Sequence, residues 1–340
     1  MASLLEPQSE RQPQAGGAAV APTPPAPRTG APEIEPDYEP PGAVKLERPP
    51  TSTPRINWVY AGGFIVIHAL SLLALVPWLF SWSGVALWFG GLYFFGVFGI
   101  NLGYHRLLTH RGLKVPTWLE RSLAIIGLCN LQDAPARWIG VHRMHHQFSD
   151  HHRDPHSPLV DFLWGHVGWL VYRDSYIGTM DFYDRYARDL IRDPFYRWLE
   201  RGYVWGGIYA AHAALFYFAG LAVGWAATGD FGGGVQLGLS WLVWGALLRT
   251  ATVWHITWSV NSLSHLWGYA NYETRDHSLN NWFVALITSG EGWHNNHHAK
   301  PRCAAHGHRW WEIDLVYWAV LALERLGLAK DVVHLGGKRK

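Results

Sequence analysis

Four long apolar stretches dominate the hydrophobic pattern of the chain, and polar or small residues bound each one. They cover residues 56–80, 84–104, 203–226 and 235–260. Because an apolar helix of about 20 residues crosses a hydrocarbon core about 30 Å thick, each stretch predicts a membrane-spanning helix. The links within the two pairs, SWS and ATGDFGGG, are short. The pattern therefore predicts two antiparallel transmembrane hairpins.

The sections between and after the hairpins are more polar. Residues 115–132 mix apolar and polar positions too evenly to span a membrane, and residues 182–202 alternate charged with aromatic side chains. The second section is typical of an amphipathic helix on a membrane surface. Residues 310–328 carry an apolar stripe broken by charges, which predicts a docked interfacial helix or a fifth crossing.

Composition divides the chain into three regions. Residues 1–54 are rich in Pro, Ala, Glu, Gln and Gly, so they predict a disordered tail, and they carry no secretory signal pattern. Residues 55–330 predict a single membrane domain. Residues 331–340 predict a short basic tail.

The distribution of Lys and Arg predicts the topology. The two short links carry neither residue, whereas both accumulate in residues 105–202 and in the C-terminal region. By the positive-inside rule, both termini and all the polar sections face the cytoplasm. A net charge of +2 argues against a nucleic-acid partner, and two cysteines are too few for a disulfide framework.

The histidine pattern is the strongest sign of chemistry. HRMHH at 142–146 places three imidazoles at i, i+3 and i+4, which share one helix face and are expected to converge on one point. The spacing returns in HNNHH at 294–298, and HRLLTH at 105–110 and NSLSH at 261–265 add further histidines. One such motif alone could be a solvated surface patch, but the set indicates a metal site. The candidate ligands are His105, His110, His142, His145, His146, His265, His294, His297 and His298.

Nine imidazoles suit two metal ions with four or five nitrogen ligands each. Imidazole binds Zn, Cu, Fe and Ni alike, but zinc sites use three or four ligands. A large all-nitrogen site at a membrane surface therefore favours redox iron that acts on a lipid with O₂. On an ideal helix the two histidines of HRLLTH lie about 140° apart, which leaves open whether they hold one metal or two.

Carboxylates near the histidines are candidates to orient the imidazole rings. Asp150, Asp154, Asp276 and Glu291 are the nearest in sequence, and carboxylates commonly accept a hydrogen bond from the second nitrogen of a metal-bound histidine. We favour Asp154 in RDPHSP, although an aspartate there also suits a turn or a helix N-cap.

The motifs HRLLTH, HRMHH and HNNHH, with NSLSH between the last two, resemble the histidine boxes of the membrane fatty-acid desaturases. The sequence around the second motif resembles the Δ9 acyl-CoA and acyl-lipid branch, which includes the stearoyl-CoA desaturases. It reads HRMHHQFSDHHRDPHSPLVDFLWGHVGWL. The resemblance covers roughly residues 56–320. It implies an all-α integral membrane protein with four transmembrane helices in two hairpins and a cytoplasmic helical cap.

The resemblance also implies an activity. The cap would hold two iron ions through the nine histidines, with Asn261 as a further ligand acting through water, and no catalytic residue beyond this metal centre. The enzyme would use O₂ and two electrons to place a cis double bond, at Δ9, in a saturated acyl chain. No fused haem-binding domain is expected, so a cytochrome b5-like or ferredoxin-like partner would donate the electrons.

The family holds the acyl chain in a bent apolar tunnel. By position, Trp138 and Trp254 would line it near the metals, and Tyr93 would close its far end. Ordinary interfacial packing is the alternative role for the two tryptophans. Gly140-Val141 replaces the Arg-Asp pair with which animal acyl-CoA members contact CoA, which leaves the carrier open between CoA and an intact lipid.

Two other functions fit parts of the pattern. A fatty acyl or alkyl hydroxylase uses the same oxidant, but the HExxH-like and NYxEHYG-like boxes of alkane hydroxylases are absent from the sequence. A metal transporter with histidine-rich loops is the other alternative, although transport usually requires ligands within the crossings.

Overall fold

The computed structural model describes residues 45–337. Most of the predicted disordered tail, and the last three residues of the predicted basic tail, lie outside this range. Residues 45–54 are packed against the domain: the backbone N–H of Leu46 donates to the carbonyl of Leu159 at 3.1 Å, and the Arg48 guanidinium lies 4.3 Å from the centre of the Tyr172 ring. The described part of the C-terminal tail also packs on the cap, where the Val333 N–H donates to the Gly112 carbonyl at 2.8 Å.

Four helices in the described range are long and apolar enough to cross a membrane, as predicted. They are M1 (Trp58–Leu75), M2 (Trp82–Thr109), M3 (Val204–Thr228) and M4 (Phe231–Leu263). M1 ends in a 3-10 turn, Leu72–Leu75, and a second turn, Pro77–Leu79, leads to M2. M2 and M4 have 28 and 33 residues, more than the ~20 that a bilayer requires. Their extra turns carry polar residues of the site beyond the apolar layer.

Two of the membrane helices contain π-helical segments. In M2 the α-helix Trp82–Gly91 continues as a π-helix over Leu92–Thr109. In M4 a π-helix, Leu242–Leu248, separates the α-helices Phe231–Trp241 and Arg249–Leu263. Such segments bond residue i to i+5 and often mark functional sites.

The cap consists of short helices between and after the two hairpins. It also contains a two-stranded antiparallel sheet of β1 (Ser52–Ile56) and β2 (Tyr172–Asp174), which joins the segment before M1 to the cap. The remaining helices are Thr117–Leu128, Pro135–Phe148, the π-helical turn Trp164–Gly168, Trp169–Val171, Met180–Tyr186, Arg188–Ile191, Pro194–Leu199, Trp282–Thr288, His294–Ala299 and Leu315–Arg325.

One expectation for the polar sections is wrong, and one pair of alternatives is decided. Residues 182–202 do not form one surface helix, because Ala187 leaves the helical conformation and Pro194 starts a new helix that Asp193 caps. Phe182, Tyr186 and Leu199 of this section are buried. Of the two alternatives for residues 310–328, the fifth crossing is excluded, since the Leu315–Arg325 helix has 11 residues, too few to cross a bilayer. The docked helix is the alternative that fits, with Val316 and Val320 buried.

The Pro135–Phe148 helix carries HRMHH, and a side chain from another helix region, that of Glu200, caps its N-terminus. Its first backbone donors, the N–H groups of Ala136 and Arg137, both donate to Glu200, at 2.6 and 3.3 Å. The other oxygen of Glu200 accepts from the Tyr183 hydroxyl at 3.0 Å. A carboxylate at a helix N-terminus satisfies donors that would otherwise be unpaired. This contact fixes the start of a helix whose far end carries three of the candidate ligands.

M3 and M4 pack closely through glycines. A Cβ on Gly220 would lie 2.8 Å from the Leu237 carbonyl oxygen and 2.9 Å from the Gly238 Cα, whereas a Cβ on Gly207 in the same helix would meet nothing within 4 Å. Membrane helices commonly associate through small residues that let their backbones approach.

We expect Gly220→Ala to destabilise the membrane domain by about 1–3 kcal/mol, because the added methyl overpacks the M3–M4 contact. Gly207→Ala, which adds the same methyl to the same helix in open space, is the matched control. The readout is the temperature at which half of the detergent-solubilised protein leaves the monodisperse peak on size-exclusion chromatography. Equal midpoints for the two variants would contradict the assigned contact.

The capping carboxylate predicts a dependence of stability on pH. Burial, together with the Asp133 carboxylate, raises the pKa of Glu200 from 4.5 to about 7. Folding therefore favours the protonated acid, and the free energy of unfolding falls as the pH rises from about 4.5 to about 7. Glu200→Gln mimics the neutral acid, so its melting temperature relative to the parent should rise between pH 5 and pH 7 and then level off. A difference that stays constant across this range would refute the assignment.

Candidate metal centre

The histidine motifs reach one place from four parts of the chain. His105 lies in the last turns of M2, and His110 follows the helix directly. HRMHH occupies the second half of the Pro135–Phe148 helix, and HNNHH forms most of the His294–Ala299 helix. His265 follows the end of M4 at Leu263. M2 thus continues to Thr109, five residues past the predicted end at residue 104, and His105 lies within the helix about one turn before its end.

The π-helix of M2 brings His105 and His110 together. On an α-helix this spacing separates the two side chains by about 140°. Here hydrogen bonds span five residues, and the His110 N–H donates to the His105 carbonyl at 3.1 Å. The two imidazole rings lie 4.9 Å apart, centre to centre. The two histidines therefore belong to one group of ligands. The sequence had left open whether they hold one metal ion or two.

The nine histidines divide into two neighbouring clusters. Within each cluster every ring contributes one nitrogen, and these nitrogens all lie within 4.8 Å of one another. Cluster A comprises His105, His110, His142, His146 and His297, and cluster B comprises His145, His265, His294 and His298. The structure thus has groups of five and four imidazoles.

The adjacent histidines of each motif serve different clusters. His145 joins cluster B while His146 joins cluster A, and His297 and His298 divide in the same way. The expectation that all three rings of HRMHH converge on one point is therefore wrong, because side chains one residue apart on a helix diverge by about 100°. The rings of His146 and His298 stack 4.4 Å apart, so the two clusters are in direct contact.

The inner nitrogens of each cluster face one another at short range. In cluster A the Nε2 atom of His297 lies 3.1 Å from that of His105 and 2.9 Å from that of His146. In cluster B the Nε2 atoms of His265 and His294 lie 3.0 Å apart. A common metal ion would satisfy such converging lone pairs.

All four carboxylates near the motifs contact the outer nitrogen of a histidine. Asp154, the favoured one, lies 3.0 Å from the Nδ1 atom of His145. The others pair Asp150 with His265 at 2.7 Å, Asp276 with His298 at 2.7 Å, and Glu291 with His105. A donated Nδ1–H leaves the lone pair of the ring on Nε2, on the inner side.

Electrostatics keep most of the rings neutral. Burial and the neighbouring rings lower the pKa of His142, His145, His146 and His297 far below the ordinary value. His265 is different: burial alone would lower its pKa, but Asp150 raises it to about 9. The same contact lowers the pKa of Asp150 to about 2. This imidazole must lose a proton before it can bind a metal ion, so metal uptake there is linked to proton release.

The donor set fits transition-metal ions. The Nε2 atoms of His110, His145 and His298 are buried and have no hydrogen-bond partner in the described structure, although a buried donor or acceptor without a partner is costly. All inner donors are imidazole nitrogens, which suit iron, zinc, copper and nickel. Each cluster can therefore hold one ion, and the clusters adjoin.

Sequence reasoning missed three residues that complete this region. His306, from AAHGH, is buried, lies 4.4 Å from the His297 ring, and has its Nδ1 atom 3.4 Å from Glu291. His156 stacks on His145 at 4.2 Å. Arg106 donates to Glu291 at 2.7 Å and to Asp314 at 2.9 Å. The only signal for Arg106 was a charged residue at the end of an apolar helix.

An apolar cavity, cavity 1, opens beside the clusters. It encloses about 70 Å³. Trp138 lines it and stacks on His142 at 5.3 Å, and Trp254, buried in M4, lines it too. Asn261, one turn before His265, lines the same cavity. Its full lining is Tyr60, Phe64, Leu131, Gln132, Asp133, Trp138, Val141, His142, His156, Trp169, Leu170, Trp254, Thr257, Trp258 and Asn261.

Tyr93 lines a second cavity rather than the first. Cavity 2 encloses about 170 Å³ and lies between M2 and M4, with Phe89, Tyr93 and Val253 among its lining residues. Thr257 lines both cavities. The two cavities are therefore neighbours, with this threonine between them.

Comparison with known proteins identifies the family. The fatty acid desaturase family model matches residues 83–330. The chain is 42% identical over 293 residues to an sn-2 palmitoyl-lipid 9-desaturase of a Nostoc species, which covers 86% of this chain and 95% of the relative.

Two further relatives differ in the acyl carrier that they are named for. An sn-1 stearoyl-lipid 9-desaturase of Anabaena variabilis is 40% identical, over 83% of this chain and 96% of the relative. An acyl-CoA 5-desaturase of Anemone leveillei is 41% identical, over 83% and 80%. The predicted desaturase function is confirmed, and the hydroxylase alternative is not favoured. With four membrane helices and clusters of histidines suited to metal, the chain belongs to the fatty acid desaturase family, a family of oxidoreductases of lipid metabolism.

Proposed function

We propose that the protein is an O₂-dependent Δ9 desaturase that forms a cis double bond in a saturated acyl chain. The observation that carries this proposal is the pair of imidazole clusters beside an apolar cavity. Removal of hydrogen from an unactivated methylene requires a metal-derived oxidant, and the cavity supplies an apolar space for a methylene chain. The Δ9 position is supported by the names of the two lipid 9-desaturases.

The proposed metal centre holds two iron ions. Cluster A would bind one ion through five histidines, and cluster B would bind the other through four, with Asn261 acting through water. When bound, the iron ions supply, with O₂, the oxidant that cleaves the two C–H bonds. The protein's part is to hold the rings: Asp150, Asp154, Asp276 and Glu291 fix their outer nitrogens.

The side chains of cavity 1 orient the substrate. Trp138 stacks on the His142 ring and both line the cavity, so Trp138 would hold the acyl chain beside cluster A. Trp254 contributes to the lining from M4. The apolar lining also excludes water from the reacting carbons, which protects reactive species from side reactions.

Cavity 2 would receive the methyl end of the chain. Thr257 lines both cavities, so an acyl chain that extends past this threonine would enter the space lined by Tyr93 and Phe89. The rings of these two residues lie 5.2 Å apart in an edge contact. We propose Tyr93 as the floor that sets the chain length.

An intact acyl lipid is the carrier that we favour over CoA. A Cβ on Gly140 would lie 2.7 Å from the buried ring of Phe182, and Val141 lines cavity 1. Gly140 thus has no room for a larger side chain, and Val141 presents an apolar one, so the charged pair with which animal acyl-CoA members hold CoA has no counterpart here. The membrane then supplies the substrate directly.

The electrons would come from a separate cytochrome b5-like or ferredoxin-like protein. The Lys and Arg distribution supports a cytoplasmic location for the cap and both termini. The non-enzymatic alternative, a metal transporter with histidine-rich loops, is not favoured, because the chain belongs to a family of oxidoreductases.

The test is expression in a host that lacks its own Δ9 desaturase. The parent chain should restore growth without added unsaturated fatty acid, and mass spectrometry of host lipids should locate an alkene, not an alcohol, at carbon 9. His145→Ala should lower product by at least about 100-fold, since it removes an imidazole from cluster B, and should lower the iron content of the purified protein. His152→Ala, an exposed histidine of the same segment, is the control. A parental amount of unsaturated product from His145→Ala would contradict the metal-centre proposal.

Tyr93→Ala should shift the product profile towards longer acyl chains. Removal of the ring deepens cavity 2, and one methylene in an apolar pocket changes preference by about tenfold. The readout is the ratio of unsaturated products two carbons longer than the parental product to the parental product. Phe94→Ala, which truncates an exposed ring next in sequence, should leave the ratio unchanged. An unchanged ratio in Tyr93→Ala would exclude Tyr93 as the floor.

A further inference from the structure

Arg249 is a fully buried guanidinium inside a membrane helix. It lies in M4, its exposed fraction is 0%, and none of the ion pairs in the described structure includes it. Charged residues within membrane helices are costly and usually functional. Arg249 makes no contact with the histidine clusters, so the proposed reaction leaves it without a role.

Its hydrogen bonds point to one stretch of the cap. One terminal nitrogen donates to the Asn130 side-chain oxygen at 2.8 Å, and the other donates to the Cys129 carbonyl at 2.7 Å. The remaining bonds stay within the membrane, to the Gly245 carbonyl at 2.9 Å and the His212 Nε2 atom at 2.9 Å. Two of the four contacts thus hold residues 129–134, here called the linker, between the Thr117–Leu128 and Pro135–Phe148 helices.

The linker has an unusual backbone. Leu131 and Asp133 both have left-handed conformations, with φ of 53° and 82°. Side chains other than glycine rarely adopt this region, and they keep it only where the surroundings enforce it. M4 enforces it here: besides Arg249, the Trp254 indole donates to the Asn130 carbonyl at 2.8 Å, and Gln132 donates to Thr257 at 2.9 Å.

The linker is also a wall of cavity 1. Leu131, Gln132 and Asp133 all line it, as do His142 and Asn261. A methylene chain offers no polar group by which it can be aligned. The carbon that faces the clusters is therefore set by the shape of the wall along which the chain lies.

We infer that Arg249 is a positioning residue that determines the position of the double bond. By holding Cys129 and Asn130 it keeps the linker in its strained conformation, and the strained linker fixes how far the acyl chain enters before it passes the clusters. The inference rests on the proposed desaturase function. Without the hydrogen bonds from Arg249 the linker relaxes, so that more than one pair of acyl-chain carbons can reach the clusters.

The test uses full-length Arg249→Lys in the desaturase-deficient host, with mass spectrometry of the double-bond positions. Lysine keeps the charge but cannot make all four hydrogen bonds. We expect products displaced by one or two carbons to rise at least tenfold as a fraction of all unsaturated product. Asn130→Ala leaves Arg249 in place and should produce a smaller displacement of the same kind. If the Arg249→Lys protein does not fold and accumulate in the host, the double-bond positions made by Asn130→Ala test the inference.

His212→Ala is the matched control, because it removes a contact of Arg249 that leads to M3 and not to the linker. Its product should keep the parental position. An independent readout is maleimide labelling of the two buried cysteines: Cys129 should label faster in Arg249→Lys, while Cys303 labels at the parental rate. Faster labelling of both cysteines, or an equal spread of positions in His212→Ala, would mean general loosening and would overturn the inference.

A parental double-bond position in folded Arg249→Lys and Asn130→Ala, even with reduced yield, would also overturn it. Failure of the proposed function is distinguishable, since the parent chain itself would then form no alkene.

Discussion

The contact between a buried carboxylate and the outer nitrogen of a histidine is the interaction on which the site depends. It orients the ring, places the lone pair on the inner side, and offsets the cost of burying both groups. Each carboxylate is held in turn: Arg106 binds Glu291, Ser157 donates to Asp150, Ser278 donates to Asp276, and the backbone N–H groups of Asp150 and His156 donate to Asp154. The loops of the cap are thus ordered around four carboxylates.

The membrane helices meet a second constraint, because the same helices must cross the apolar layer and deliver polar groups beyond it. M2 and M4 do so by length and by their π-helical segments. The π-helix of M2 aligns His105 with His110, and the one in M4 ends just before Arg249. Irregular winding therefore occurs where each helix changes from a lipid-facing element to part of the site.

Between these two layers lie cavity 1, beside the clusters, and cavity 2, between M2 and M4, which we propose to be successive parts of an acyl-chain path. The reaction that we propose depends on both: the clusters supply the oxidant when iron is bound, and the cavity walls select the carbon that meets it. The chemistry and the selectivity thus reside in different residues. Substitutions in the walls can alter the product without altering the metal centre.

The sequence by itself determined the four crossings, the family and the nine candidate ligands, because hydrophobic length and histidine spacing are local signals. It also named Asp150, Asp154, Asp276 and Glu291, since each is close in sequence to a histidine motif. Only the tertiary structure decided which ring belongs to which cluster, since neighbouring residues such as His145 and His146 diverge and distant ones such as His146 and His297 converge. The winding of M2, the hydrogen bonds of Arg249 to Cys129 and Asn130, and the packing of His306 against His297 were likewise invisible in the sequence, because each depends on the tertiary structure.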